Sequence, residues 1–389
     1  MKKNRKLFRM VVGVIVAISL TTACATHAVP PPPAAAPPAQ TTTAAAPAAK
    51  TTAAAPAAQT TAAATPAAVT TAAAAPAMPS AADLQRVVKE AYEKFKDVTD
   101  GKNADYIPEL AKVPSELFGV VIVTAAGDVY TAGDVDYAFS IQSVSKPFTA
   151  ALVMQEQGDQ AIKDKIGVEP TGLKFNAILA TQIIPQVSVN PLVNSGAIAS
   201  VSMVQAKSAE ERFNKILDFF NVLSGATLSV IDSVYKSEAA TNQRNRAHGY
   251  ILAASDRIYS DPMEAVDVYT KQCSIGVTAK QLGIMGATLA NKGINPVTKA
   301  KVIDAKYVPK VLAIMMMAGF YNESGNWAYT TGLPAKTGVG GGIVAIVPGQ
   351  LAIVGFSPRV NDAGNSVRSA KAINYIVNEL GLNIFGSSK

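Results

Sequence analysis

The chain has 389 residues, 49% apolar and 16% charged, with a formal net charge of +7. Five of its positive charges, Lys2, Lys3, Arg5, Lys6 and Arg9, lie at the extreme N-terminus, so the rest carries only about +2 and no block of like charge. No basic stripe interleaved with aromatics follows, which excludes the electrostatic footprint of a nucleic-acid binder.

The basic residues precede an apolar run over 10–20 and then Thr21-Thr22-Ala23-Cys24. A basic head, a short apolar stretch and small residues after it describe an export signal over 1–23, and the run is too short to span a bilayer as a mature helix. The stretch 20–24 resembles a bacterial lipoprotein cleavage box with Cys24 as the lipidated residue, although Thr21 stands where Leu is commonest. The protein is therefore expected to be exported, periplasmic or at the cell surface, and held to a membrane only through that lipid. Cys273 is the other cysteine and reads as a small buried hydrophobe.

Residues 24–79 are almost entirely Ala, Pro and Thr, with a unit near Thr-Thr-Ala-Ala-Ala-Pro-Ala-Ala starting at Thr42, Thr51, Thr60 and Thr70. Such a segment has too little apolar surface to offset the entropy of ordering, so it reads as a tether averaging roughly 40 Å end to end. Ordinary globular composition begins at Ser80, so 80–389 is expected to be the catalytic domain, large enough for a substantial core.

That domain opens with an amphipathic helix over 80–96, capped by Ser80. Strands over 118–124 and 128–132 follow, joined by Ala125-Ala126-Gly127 as a hairpin. The middle, to about residue 317, reads mostly as helices, among them 279–291 and 308–318. Strands return at 342–347 and 351–356, and a helix over 366–380 closes the domain. Strands at both ends with helices inserted between them predict an α/β layer plus a helical subdomain.

Only His27 and His248 are present, so a Ser-His-Asp triad would need His248, and the usual zinc ligand sets are not available. No metal or cofactor is expected. The glycine-rich stretch 338–342 leads into a strand rather than a helix and matches neither nucleotide fingerprint. Hydrolysis by this chain needs another base for a hydroxyl, and a lysine of lowered pKa can serve. Ser143-Val144-Ser145-Lys146 supplies the pair, at the start of a helix in which Pro147 is tolerated. Burial would lower the lysine's pKa. By itself Ser-x-x-Lys is weak. Lys336-Thr337-Gly338, leading into a strand, completes the combination that marks penicillin-recognising serine enzymes.

Further segments narrow the resemblance. Residues 139–146 resemble the nucleophile segment of the serine-dependent glutaminases. Residues 190–198 are similar to their Asn-Pro-x-x-Asn-Ala-Gly-Ala-Ile stretch, with Ser195 in place of Ala. Ser237-Glu238, Arg244-Asn245, Tyr269 with Cys273-Ser274, and the stretches 285–291, 332–343, 356–358 and 364–367 match as well. The resemblance runs from about Asp83 to Phe385. It implies a β-lactamase/D,D-peptidase-like α/β fold, an antiparallel sheet with flanking helices plus a helical subdomain. The activity it implies is cofactor-free hydrolysis of the side-chain amide of L-glutamine by a homo-oligomer, dimer or tetramer.

By the same resemblance, Ser143 is the nucleophile, Lys146 its base, and Tyr321 the relay of protons to the leaving ammonia. The backbone N–H groups of Ser143 and Val339 form the oxyanion hole, with the following glycines letting backbone approach the substrate. Glu238 pairs with the substrate ammonium, Asn194, Asn245 and Tyr269 hold its carboxylate, and Tyr106 and Gln142 line the pocket. Two other readings stay open: a β-lactamase or D,D-peptidase, for which Ser188-Val189-Asn190 is a loose Ser-Asp-Asn, and a catalytically silent glutamine-binding lipoprotein.

Overall fold

Apolar segments from the two ends of the domain assemble into one sheet. The computed structural model describes residues 78–183 and 189–386. The expected signal, Cys24 and nearly all of the tether lie outside the described residues, as does Ser188.

Seven strands are present among the described residues: β1 (Gly119–Thr124), β2 (Val129–Gly133), β3 (Phe139–Ser140), β4 (Gly276–Val277), β5 (Ala335–Thr337), β6 (Gly342–Val347) and β7 (Leu351–Phe356). Five of them form an antiparallel sheet in the order β2-β1-β7-β6-β5, while β3 and β4 pair as a separate ribbon. The expected hairpin is β1–β2, closed at Gly127, whose φ of +110° suits glycine.

β1, β6 and β7 are buried along their whole length. Their unbroken Val/Ile runs follow, because both faces of the sheet are covered. Val120, Ile122, Ile343, Ala345 and Ile353 pack with the helices Ala81–Phe95 and Val367–Leu380. Val121, Val123, Val344, Ile346 and Val354 face the opposite core, shared with the helix Ala279–Ala290. That helix lies very close to the sheet: a Cβ on Gly286 would stand 2.6 Å from Val344 Cγ2. Ser80 caps the first helix by accepting from the Asp83 N–H at 3.1 Å, and a Thr278–Gln281 capping box starts the helix Ala279–Ala290.

Beyond the second face lies the helical part, in which Asn194–Met203 packs on the helix Lys146–Gln157, and Gln243–Ala253 and Pro262–Cys273 pack on Asn194–Met203 and on each other. The expected antiparallel sheet with flanking helices and a helical subdomain is therefore the observed architecture. Two local features differ from the sequence reading. Lys336 and Thr337 belong to a strand themselves, β5, and β6 is its antiparallel neighbour. The β3–β4 ribbon was not foreseen, since two-residue strands carry no readable period. It matters, because β3 leads into the Ser143 turn and β4 follows the helix ending at Cys273.

Candidate active site

Residues Gln142–Ser145 form a 3₁₀ turn that runs directly into the helix Lys146–Gln157, with Pro147 in its first turn. Gln142 holds a left-handed φ of +49°, unfavourable for a side chain with a Cβ. A buried polar chain holds it there. Ser145 Oγ donates to the Gln142 carbonyl at 2.6 Å and accepts from Gln272 Nε2 at 2.9 Å, while Gln272 Oε1 accepts from Thr149 Oγ1 at 2.8 Å. Backbone strain that the surroundings over-determine in this way is common where a reacting group must be aimed.

The β5–β6 loop packs against the same turn. A Cβ on Gly340 would fall 2.3 Å from the Ser140 carbonyl oxygen. The glycine bareness expected to admit substrate serves, at this position, the approach of the loop to the nucleophile segment. Among the described residues, neither the Ser143 N–H nor the Val339 N–H donates to a backbone carbonyl, and both residues line one cavity. Two free N–H groups there can receive an oxyanion.

Lys146 is 1% exposed and lies behind Ser143 rather than in the cavity wall. Its Nζ donates to Asn194 Oδ1 at 2.7 Å and to the Leu192 carbonyl at 3.3 Å. Burial drives its pKa down to about 7, the buried Cys273 thiol and Glu238 acting in the opposite direction. A neutral amine has two N–H groups and one lone pair; two carbonyl acceptors use the first and leave the second free to take a proton. The Tyr321 hydroxyl stands beside the Ser143 hydroxyl and donates to the Thr337 carbonyl at 3.5 Å. Among the described residues no direct Ser143–Lys146 hydrogen bond is formed, and Tyr321 is the titratable side chain beside the nucleophile.

Tyr321 is buried, holds a left-handed φ of +57°, and has its phenol pushed up by burial. It stands between two lysines: Lys336 Nζ lies 4.1 Å from its ring centroid and Lys146 Nζ 5.7 Å. Lys336 donates to the Thr337 and Gly319 carbonyls at 2.7 and 3.2 Å, and burial depresses it well below an ordinary lysine.

The cavity in front of Ser143 has a volume of about 710 Å³. Its lining includes Tyr106, Gln142, Asn194, Glu238, Asn245, Tyr269 and Val339, so the fold brings together all of these sequence-derived pocket residues. Glu238 is 6% exposed and accepts from Gln142 Nε2 at 3.1 Å. Burial raises its carboxyl to about 7, against the opposing effects of Gln142 and Lys146.

Asn194, Asn245 and Tyr269 satisfy one another: Asn194 Nδ2 donates to Asn245 Oδ1 at 2.8 Å, and the Tyr269 hydroxyl donates to Asn194 Oδ1 at 3.3 Å. Asn194 Oδ1 thus serves both Tyr269 and Lys146. Tyr106 is 49% exposed, its ring 6.4 Å from that of Phe175, which also lines the cavity.

The sequence reading missed several contributors. Gln243 and Arg244 join the expected Asn245 in opening the helix Gln243–Ala253 at the cavity wall, so its N-terminal dipole and a guanidinium favour an anion there. Gln272, Asn361 and Asp362 had no local signal, while Leu192 and Gly364 lay in matching stretches without an assigned role. His248 is fully buried, with Nε2 3.4 Å from the Asn176 carbonyl and its pKa depressed to about 4 by burial. It takes no part in the Ser143 cluster. Cys273 is buried as expected, its thiol pushed up by burial.

Comparison with known proteins gives one consistent answer. A glutaminase family model matches residues 101–385. A glutaminase of Colwellia psychrerythraea is 48% identical over 307 residues, covering 79% of this chain and 99% of that protein. The solved structure of a probable glutaminase, ybaS, superposes with a TM-score of 0.78 at 47% identity, covering 79% of this chain and all of the other. Mglu in its glutamate form matches with a TM-score of 0.75 at 32% identity, covering 78% and 71%.

Proposed function

Because the chain belongs to the glutaminase family, we propose that hydrolysis of L-glutamine to L-glutamate and ammonia runs here through a Ser143 nucleophile, a Lys146 base and an acyl-enzyme ester. The observation that carries the proposal is the state of Lys146: buried, titrating near 7, with two carbonyl acceptors on its nitrogen.

Glutamine enters with its ammonium toward Glu238 and its carboxylate toward Asn245 and the adjoining helix N-terminus. Gln142, bonded to Glu238, orients that carboxylate, and Tyr106 closes the mouth. Ser143 Oγ attacks the amide carbon while its proton passes to Lys146, through Tyr321 where no direct bond is formed. The carbonyl oxygen becomes an oxyanion between the Ser143 and Val339 N–H groups, each worth about 3 kcal/mol. Collapse breaks the C–N bond, and the proton returns through Tyr321 to the leaving nitrogen as ammonia departs. Water, deprotonated by Lys146, then attacks the ester; glutamate leaves and Ser143 is restored. Every proton taken is given back, so no cofactor is consumed.

The N-terminal composition supports a wider setting. An export signal over 1–23, lipid on Cys24 and an Ala/Pro/Thr tether would hold the catalytic domain on the outer side of a membrane, assembled as a dimer or tetramer.

The test is ammonia and glutamate release from L-glutamine by the full-length protein and by Ser143→Ala. The parent should yield the two products in equal amounts. The variant should retain the parent's Tm and release neither; substantial residual turnover would remove Ser143 as the nucleophile.

A further inference from the structure

A second cavity, of about 430 Å³, shares the wall residue Asn361 with the active-site cavity. It lies between the helix Ser324–Thr330 and the helix Val367–Leu380. Phe320 and Trp327, stacked with centroids 4.0 Å apart, form its aromatic side. Trp327 Nε1 is already committed to the Leu333 carbonyl at 2.8 Å, which leaves the cavity an indole ring rather than an N–H.

The polar groups on the remaining wall are one-sided. Glu323 accepts from Asn361 Nδ2 at 3.0 Å and from Asn365 Nδ2, yet among the described residues it has no ion-pair partner. The nearby cation, Lys371, is paired with Asp100 at 2.9 Å. Asn365 is 2% exposed, and its amide orientation is set by donation to Glu323. Its Oδ1 is consequently a buried acceptor with no donor. A cavity with an uncompensated carboxylate, an unserved carbonyl oxygen and an indole face repels anions and suits a cation that carries N–H donors and an apolar body.

We propose that this cavity binds a small organic ammonium ion, whose N–H groups reach Glu323 and Asn365 Oδ1 while its apolar part lies against Trp327. The site is placed to influence catalysis. Glu323 ends the 3₁₀ turn Tyr321–Glu323 that begins with the residue beside Ser143, and Asn361 belongs to both cavities. Occupation that draws Glu323 or Asn361 toward the ammonium therefore moves the turn that positions Tyr321.

Trp327 is the only tryptophan in the chain, so intrinsic fluorescence reports this cavity directly. The probe is n-propylammonium chloride, titrated into the full-length protein against sodium chloride and n-propanol as controls. The expected result is a saturable change in Trp327 emission with the ammonium alone. Glu323→Gln should weaken it at least tenfold, and Ala370→Leu, which fills the cavity without touching a hydrogen bond, should abolish it. Glu238→Ala should leave it intact, because the active-site carboxylate is not the receptor.

The proposal is overturned if no saturable change occurs up to about 0.1 M, far above the ~mM range expected for so small a ligand. It is equally overturned if Glu323→Gln and Ala370→Leu respond like the parent. In the same titration kcat for L-glutamine should change in step with emission; emission without any change in kcat would sever the link to Tyr321. This kinetic readout rests on the function proposed above, whereas the fluorescence readout does not, so the two failures are distinguishable.

Discussion

Replacing Asn194 by Asp tests the protonation state of Lys146 most directly. In the native protein Lys146 Nζ donates to a neutral acceptor, Asn194 Oδ1, at 2.7 Å, and burial brings its pKa down to about 7. At pH 7 roughly half of the lysine is then neutral, against about one part in 3,000 for an unperturbed amine. Asn194→Asp puts a carboxylate at the same contact. An opposite charge there favours the ammonium by about 4 kcal/mol at an effective dielectric constant near 20, or ~3 pH units. The Lys146 pKa should return to about 10.

A group that must lose its proton to act contributes activity above its pKa and loses it as the pH falls through that value. In the parent, kcat should therefore rise tenfold per pH unit below about 7 and then level off. In Asn194→Asp the rise should be displaced toward 10, with a loss of about 1,000-fold at pH 7 that is recovered in alkali. The assay is ammonia release at saturating glutamine over a wide pH range at constant ionic strength. Substrate recognition will also suffer, so the position of the limb decides the matter rather than its height. An acid limb that stays near 7 in both proteins would refute the assignment of Lys146 as the base.

In the free enzyme Glu238 also titrates near 7 and must be ionised to receive the substrate ammonium. The acid limb of kcat/KM should therefore approach a slope of two while that of kcat stays near one; a single slope in both would detach Glu238 from binding. Glu238→Ala should raise KM by 10- to 150-fold, the worth of about 1.5–3 kcal/mol for a charged hydrogen bond, and an unchanged KM would refute its role. Gly340→Ala sets a methyl 2.3 Å from the Ser140 carbonyl oxygen, so Tm should fall by a few degrees and kcat with it; parent-like values would mean the loop is not held against the nucleophile turn. Cys24→Ser should release the protein from the membrane fraction of its host, and continued membrane association would count against lipidation.

Sequence alone determined more here than local structure. The Val/Ile runs of β1, β6 and β7 announced strands, and the Ser80 cap and apolar spacing marked the first helix. Ser143, Lys146, Glu238, Asn245 and Tyr321 were legible because short motifs hold their spacing whatever the fold does between them. The acid-free, repetitive N-terminal segment was equally plain from composition.

Tertiary structure alone decided which atoms meet. It turned the Lys146 amine to Asn194 and Leu192, set Ser143 and Lys336 beside Tyr321, and closed the chain Thr149–Gln272–Ser145 beneath a strained Gln142. It also made the bare Gly340 a packing requirement of the nucleophile turn and opened a second cavity beside Glu323. Protonation and hydrogen bonding depend on desolvation and on neighbours within about 3 Å. For Lys146 those neighbours come from residues 46 and 48 positions along the chain, a separation that no local pattern encodes.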